Sequence, residues 1–141
     1  VFIAHHPPIH RPADLHAVDG ILIRSPQTGR VRSWPLTNRQ QEQCPLDIRL
    51  RMTMSDSEAA CGAAQQGLGV ALVSMPFAVP YLEAGSLLRV LPDWYVDDGN
   101  ISLYYAEHKL LPGKTRAFVD FILEQFAAQG LAQRFDGSIA Q

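Results

Sequence analysis

Residues 62 to 76, Gly-Ala-Ala-Gln-Gln-Gly-Leu-Gly-Val-Ala-Leu-Val-Ser-Met-Pro, carry an Ala-rich helical run into a Gly-x-Gly and then directly into an apolar strand. That order reverses a dinucleotide fingerprint, in which a strand precedes the glycines and the helix after them turns its free N–H groups toward the pyrophosphate. Here the glycines close a helix. Gly67 stands where a helix-ending residue takes positive φ, and Gly69, lacking a Cβ, permits a tight turn into a strand at Val70. Taken alone, the stretch reads equally as a plain helix stop in an α/β unit.

The preceding residues extend the pattern. From Asp47 to Met54, Ile48, Leu50, Met52 and Met54 alternate with Asp47, Arg49, Arg51 and Thr53, the period of a half-buried strand. Ser55-Asp56-Ser57-Glu58 fits a capping box, with Ser55 accepting from the N–H of residue 58 and Glu58 reaching back. The helix expected over Asp56 to Gln66 carries Ala59, Ala60, Ala63 and Ala64, small enough to lie close on a sheet. Strand, helix and strand make a β-α-β unit. Such units connect parallel strands through a right-handed crossover, and ligands in open α/β sheets gather beyond the carboxyl ends of the strands.

Weaker signals place the remaining elements. His5 to His16 is a loop rich in histidine and proline, with a short helical turn at Pro12 to His16 because proline suits a first helical position. Gly20 to Arg24 and Val31 to Leu36 flank Thr28-Gly29 as a hairpin. Thr37 to Pro45 is polar and reads as loop. Pro76 opens a short helix with Phe77, Val79 and Leu82, and Gly85 closes it. Leu87 to Leu91 is expected as a strand, Pro92 to Asn100 as a turn-rich connection, Ile101 to Ala106 as a strand and Lys114 to Gln129 as the longest helix. On that last helix Phe118, Phe121, Ile122 and Phe126 share an apolar stripe that needs cover.

Composition narrows the function classes. The chain has 141 residues, 47% hydrophobic and 18% charged, a length suited to one core. Its net charge is −2, and its arginines are dispersed without a run of like charge, so a duplex-DNA footprint is not expected in this chain. The longest apolar run is only a strand long, so no membrane span is expected, and no signal peptide is visible. His5, His6, His10 and His16 invite a metal reading, but zinc ligands come from ordered elements with a supporting shell; solvated loop histidines are the expectation. Cys44 and Cys61 lack metal spacing and read as reduced thiols, Cys61 in the core. No Gly-x-Ser-x-Gly elbow occurs, which argues against a hydrolase.

The ordered set Ser55-Asp56-Ser57-Glu58-Ala59, Gln66-Gly67-Leu68-Gly69-Val70-Ala71-Leu72 and Leu82-x-x-Gly85-x-Leu87-Leu88-x-Val90-Leu91-Pro92-x-Trp94 resembles the effector-binding region of LysR-type transcriptional regulators. Pro8-x-x-x-Pro12-Ala13-Asp14-Leu15 is similar to the family's approach to an Asp-Leu pair. Leu103-Tyr104-Tyr105 and Leu111-Pro112-x-Lys114-x-Arg116-Ala117-Phe118-Val119-Asp120-Phe121 are similar to its closing strand and helix. The likeness spans roughly residues 1 to 128. Val18, Ser74 and Ala106 depart from the family's usual His, Pro and Pro, and Ser74 puts a hydroxyl near the expected cleft.

The resemblance implies an α/β fold of the type II periplasmic-binding-protein kind: a lobe with a mixed, mostly parallel sheet flanked by helices, a returning strand and a C-terminal helix. Residues 1–100 would be the second lobe; residues 101–141 would be the hinge strand and a helix belonging to the first lobe. The opening Val1-Phe2-Ile3-Ala4 reads as the middle of a strand, as in a fragment of a longer regulator. The implied function is sensing a small-molecule effector in an interlobe cleft in the cytoplasm, with DNA bound only through an N-terminal domain outside this chain. By motif position the effector residues are Ser55, Asp56, Gly69, Val73, Ser74 and Tyr104, with Tyr105 nearby. No catalytic residue, metal, cofactor or membrane contact is implied, and the C-terminal helix is expected to self-associate as a two-fold dimer, with folding back on its own lobe as the alternative. The alternative is a solute-binding protein of the same bilobal fold. Asp56 and Glu58 would repel a carboxylate from their helix start, leaving this lobe to offer hydroxyls and apolar contacts.

Overall fold

The computed structural model describes residues 8–31, 35–105 and 112–139. Its centre is a three-stranded parallel sheet in the order β4-β1-β5, where β1 is Asp19–Ile23, β4 is Arg49–Met54 and β5 is Val70–Ala71. Helix α1, Ser57–Gln65, joins β4 to β5 and so forms the β-α-β unit expected from residues 47 to 76. Between those two strands lies β1. Ile21, fully buried, packs with Ala60 and Ala63 of α1 and with Met52, Met54 and Val73, so small helix residues do let α1 approach the sheet.

The glycines act as their positions predict. Gly67 has φ 79° at the end of α1, and its N–H donates to Ala64 O. A Cβ on Gly69 would stand 2.5 Å from the carbonyl oxygen of Asp19, so only glycine lets the chain pass into β5 beside β1. The alternation of β4 does not produce one unbroken face. Register shifts between Gly20 and Ile21, which face Leu50 and Met52, so Met52 and Met54 enter the core while Leu50 is half exposed. Ile48 instead joins a second cluster formed on Leu15, Leu36 and Leu91.

That second cluster underlies a separate antiparallel sheet in the order β3-β2-β6, with β2 Pro35–Asn38, β3 Gln43–Pro45 and β6 Trp94–Tyr95. The polar run Thr37 to Pro45, expected as loop, is therefore mostly hairpin. Asn38 Nδ2 donates to Glu42 Oε2 at 2.6 Å, and Glu42 N donates to Asn38 Oδ1 at 2.9 Å, closing a turn in which Gln41 takes φ 62°. Of the hairpin expected about Gly29, whose residues 32–34 lie outside the described residues, the described part forms one antiparallel bridge, Arg24 to Val31, and β1 and β2 belong to different sheets. The short turn at Pro12–Ala17 forms as a 3-10 helix, and Asp14 Oδ2 accepts the N–H groups of His10 and Arg11 at 3.0 and 2.9 Å. These bonds hold the Asp14 carboxyl below its ordinary pKa.

Helix α2, Met75–Glu83, contains the expected Pro80 and ends before Gly85, at φ 67°. Two expected strands do not form among the described residues. Leu87 to Leu91 has no strand partner there, and Leu91 and Val90 instead join the second cluster, with Leu91 buried and Val90 against it. Residues 101–105 pair with nothing among the described residues and are exposed throughout; Ala106, the last residue expected in that strand, lies outside them. Helix α3, Gly113–Ala128, is followed by a left-handed Gly130 and by the short α4, Leu131–Arg134. Phe135 stacks edge-on against Phe126 at 6.1 Å, and α4 rests on α2. The opening residues Val1 to Ala4, with His5 and His6, lie outside the described residues.

Candidate functional site

Parallel strands that share a direction also share a carboxyl edge, and the three of this sheet end at Ile23, Met54 and Ala71. Backbone bonds carry the ladder just past those ends, Arg24 N to Met54 O at 2.8 Å and Leu72 N to Ile21 O at 3.2 Å. The next residues of each strand therefore stand together: Arg24 and Ser25 after β1, Ser55 and Asp56 after β4, Val73 and Ser74 after β5. Of the residues singled out from sequence, Ser55, Asp56, Val73 and Ser74 are at this edge.

Two helices start there. The Asp56 carboxylate, not the Ser55 hydroxyl, caps α1: its Oδ2 accepts from Ala59 N at 2.8 Å. The expected capping box is thus displaced by one residue, because Asp56 takes the extended conformation of a cap and sits three residues before an N–H it can reach. Ser55 is left exposed, with its hydroxyl unused by the helix. At the second start, Ser74 caps α2 only through its carbonyl, which accepts from Phe77 N and Ala78 N; its hydroxyl makes no cap bond. Val73 packs on the Ile21 cluster below.

The two starts differ electrostatically. Asp56 and Glu58 place negative charge on the amino end of α1, whereas α2 has no acid in its first turn. The partial positive charge of α2 is therefore uncompensated. Arg24, exposed at the end of the central strand β1, adds a cation to the same edge. The sequence motifs single out Ser74 at this second start but not Arg24, Ser25 or its lack of acids. The signals were present: Gly20 to Arg24 is a central-strand run ended by Ser25-Pro26, and Ser74 to Leu82 contains no acidic residue.

Two of the singled-out residues lie elsewhere. Gly69 precedes β5 and touches Asp19 at the opposite, amino edge of the sheet, where its role is close backbone packing. Tyr104 is 90% exposed in the unpaired stretch 101–105, and Tyr105 is exposed beside it. A shallow groove of about 480 Å³ runs instead between α1 and α2, lined by Glu58, Gln65, Phe77 and Tyr81 among others. It lies over the helices and not over the strand ends.

Among the described residues no three of His, Cys, Asp and Glu gather as metal ligands. Both cysteines are free. Cys61 is fully buried in α1, and burial raises its thiol pKa, which keeps it protonated and unreactive. His16 Nδ1 bonds Ala13 O within its own 3-10 turn. No helix among the described residues is long and apolar enough to cross a membrane.

A parallel sheet flanked by helices, with its three strand ends gathered at one edge, is the α/β architecture of the periplasmic-binding-protein-like regulatory domains to which the chain is structurally similar. The chain belongs to the LysR family: the family's substrate binding domain matches residues 2–127. It is 26% identical over 129 residues to the HTH-type transcriptional regulator PtxR of Pseudomonas aeruginosa, covering 91% of this chain and 40% of that protein. It is also 26% identical over 101 residues to YagP of Escherichia coli, a putative LysR family substrate binding domain-containing protein, covering 72% of this chain and 73% of YagP. Among solved structures, full-length AphB of Vibrio cholerae superposes with a TM-score of 0.64 at 28% identity, over 88% of this chain and 41% of that one. The chain thus spans about two fifths of the length of PtxR and of full-length AphB. The fold and the regulator family read from the motifs hold, and the regulator reading takes precedence over a solute-binding protein.

Proposed function

We propose that the carboxyl edge formed by Ser55, Val73 and Ser74, with Arg24 and the start of α2, is one wall of an effector cleft. The observation that carries this reading is the convergence of those residues at three parallel strand ends in a LysR substrate binding domain. The ligand is a small polar molecule. The acid-free start of α2 and Arg24 suit an anionic group, while Ser55 and Ser74 supply hydroxyls not used in capping. In a full regulator of this family the opposite wall is the first lobe, to which residues 101–141 return from the second lobe formed by residues 1–100. Tyr104, exposed on that return, faces the cleft once the first lobe is in place. Closure over the ligand alters the relation of the lobes and, through it, of the DNA-binding domains. The protein acts in the cytoplasm, without enzymatic activity, and its DNA contacts reside in the N-terminal domain.

The test uses the full-length regulator and its operator DNA. A panel of small carboxylates and neutral polyols is screened for compounds that change operator affinity, and each active compound is titrated against Ser55→Ala and Ser74→Ala. At least a roughly tenfold rise in the effective concentration is expected for one variant, since a lost hydrogen bond to a charged group is worth about 1.5–3 kcal/mol. An unchanged response in both variants, with the proteins folded, would remove this edge from the effector site.

A further inference from the structure

Helix α3 is poorly tied to the lobe. None of its residues is buried, Phe118 and Phe121 are more than half exposed, and it packs chiefly on α4. What fastens the pair lies beyond α4, where the chain turns back across the antiparallel sheet. Arg89 Nη1 donates to Ile139 O at 2.9 Å, and Arg89 Nη2 donates to Gly137 O and, at 3.1 Å, to Trp94 O. Arg39 Nε donates to Ser138 O at 3.0 Å. Three successive carbonyls of the tail are thus held by two guanidiniums from the lobe.

The tail is shaped to be held. Asp136 Oδ1 accepts from Ser138 N at 2.8 Å and Ser138 Oγ at 2.6 Å, a turn that aims the carbonyls at the arginines. Gly137 brings the backbone against Tyr95, whose Cβ would stand 3.4 Å from a Cβ added there. Upstream, Arg134 Nη2 pairs with Glu83 Oε1 of α2 at 2.7 Å, and Phe135 stacks on Phe126 of α3. The attachments of residues 137–139 to Arg89 and Arg39 are hydrogen bonds, with Ile139 itself 38% exposed, whereas the Ile21 cluster holds the sheet without them. Arg89 is the shared post: one guanidinium grips both β6, through Trp94 O, and the tail.

We propose that residues 136–139 are a releasable strap, fastened at Arg89 and Arg39, which ties α3 and α4 to the lobe and lets go without unfolding it. Local openings of this kind draw on segments with few buried apolar contacts.

Hydrogen exchange of the 141-residue chain tests the strap. In Arg89→Met, which keeps the apolar stem and removes the donors, exchange across 131–139 is expected to rise at least about tenfold, with β1 and α1 changed by less than about twofold. Unchanged exchange in 131–139 overturns the proposal. Because Arg89 also holds Trp94 O, loosening that spreads to β1 and α1 is resolved by a chain ending at Phe135. Loosening confined to 131–135 in that shorter chain supports a strap; equal loosening of β1 and α1 overturns it, since the tail would then be part of the core.

Discussion

Asp56, and not Ser55, accepts the first free amide of α1, which separates a stability role from a ligand role at adjacent positions. Asp56→Ala should lower the stability of the chain by about 1 kcal/mol in urea unfolding, while Ser55→Ala should stay within about 0.5 kcal/mol as an exposed substitution. Equal losses from both would restore a shared cap. Gly69→Ala should cost more than about 1 kcal/mol, because its Cβ would collide with Asp19 O whatever the neighbouring side chains do. Asp19 itself accepts from Arg49 Nε at 2.6 Å and Arg51 Nη1 at 2.9 Å, and the bond to Arg49 is the main reason its pKa falls below the ordinary value. A carboxylate with a depressed folded pKa stabilises above its unfolded pKa and loses that contribution as pH falls through the folded one. The stability difference between the native chain and Asp19→Asn should therefore be constant above about pH 5 and shrink steadily below about pH 4. A difference independent of pH down to about 2 would show the pair to be idle.

Helices were legible where their limits are local. Gly67, Gly85 and Pro112 act within one turn of the chain they end or begin, so α1, α2 and α3 fall within a few residues of the sequence reading. Strands were less so, because a strand exists only by virtue of its partner. Leu87 to Leu91 and Ile101 to Tyr105 have strand-like composition but no pairing among the described residues, while Trp94–Tyr95, expected in a turn-rich connection, pairs with Thr37 and Asn38. The same distinction applies to the proposed site: motif order singles out Ser55 and Ser74, but the place of Arg24 at the same edge depends on β1 lying between β4 and β5, which no local signal encodes. The apolar stripe of α3 was legible, and Phe118 and Phe121 remain more than half exposed while Phe126 meets Phe135. An exposed stripe of this size draws a partner surface. We expect light scattering of the chain at high concentration to show self-association through α3 and Phe121→Asp to return it to monomer with the lobe still folded; an identical mass for both would exclude that face.

With a net charge of −2 and dispersed arginines, the chain as a whole should not bind duplex DNA at low salt. Fluorescence anisotropy with a labelled duplex checks this, and salt-sensitive affinity in roughly the 10⁻⁴–10⁻⁶ M range of non-specific binders would contradict it. Contacts between molecules have a second source in the sheet. Strand β4 is an outer strand among the described residues, so one row of its backbone N–H and C=O groups has no strand beside it. A strand of another molecule could extend the ladder there and begin an aggregate. Arg49 and Arg51, both paired with Asp19, flank the half-exposed Leu50 on that strand, so a second β4 added in register would bring two cations onto two. The arginines thus act as gatekeepers whose strength rises when Asp19 is protonated, so acid that weakens the fold also strengthens the guard against fibril growth. Screening by molar salt would lower that guard, which makes low-salt buffers the condition in which the chain keeps longest without turbidity.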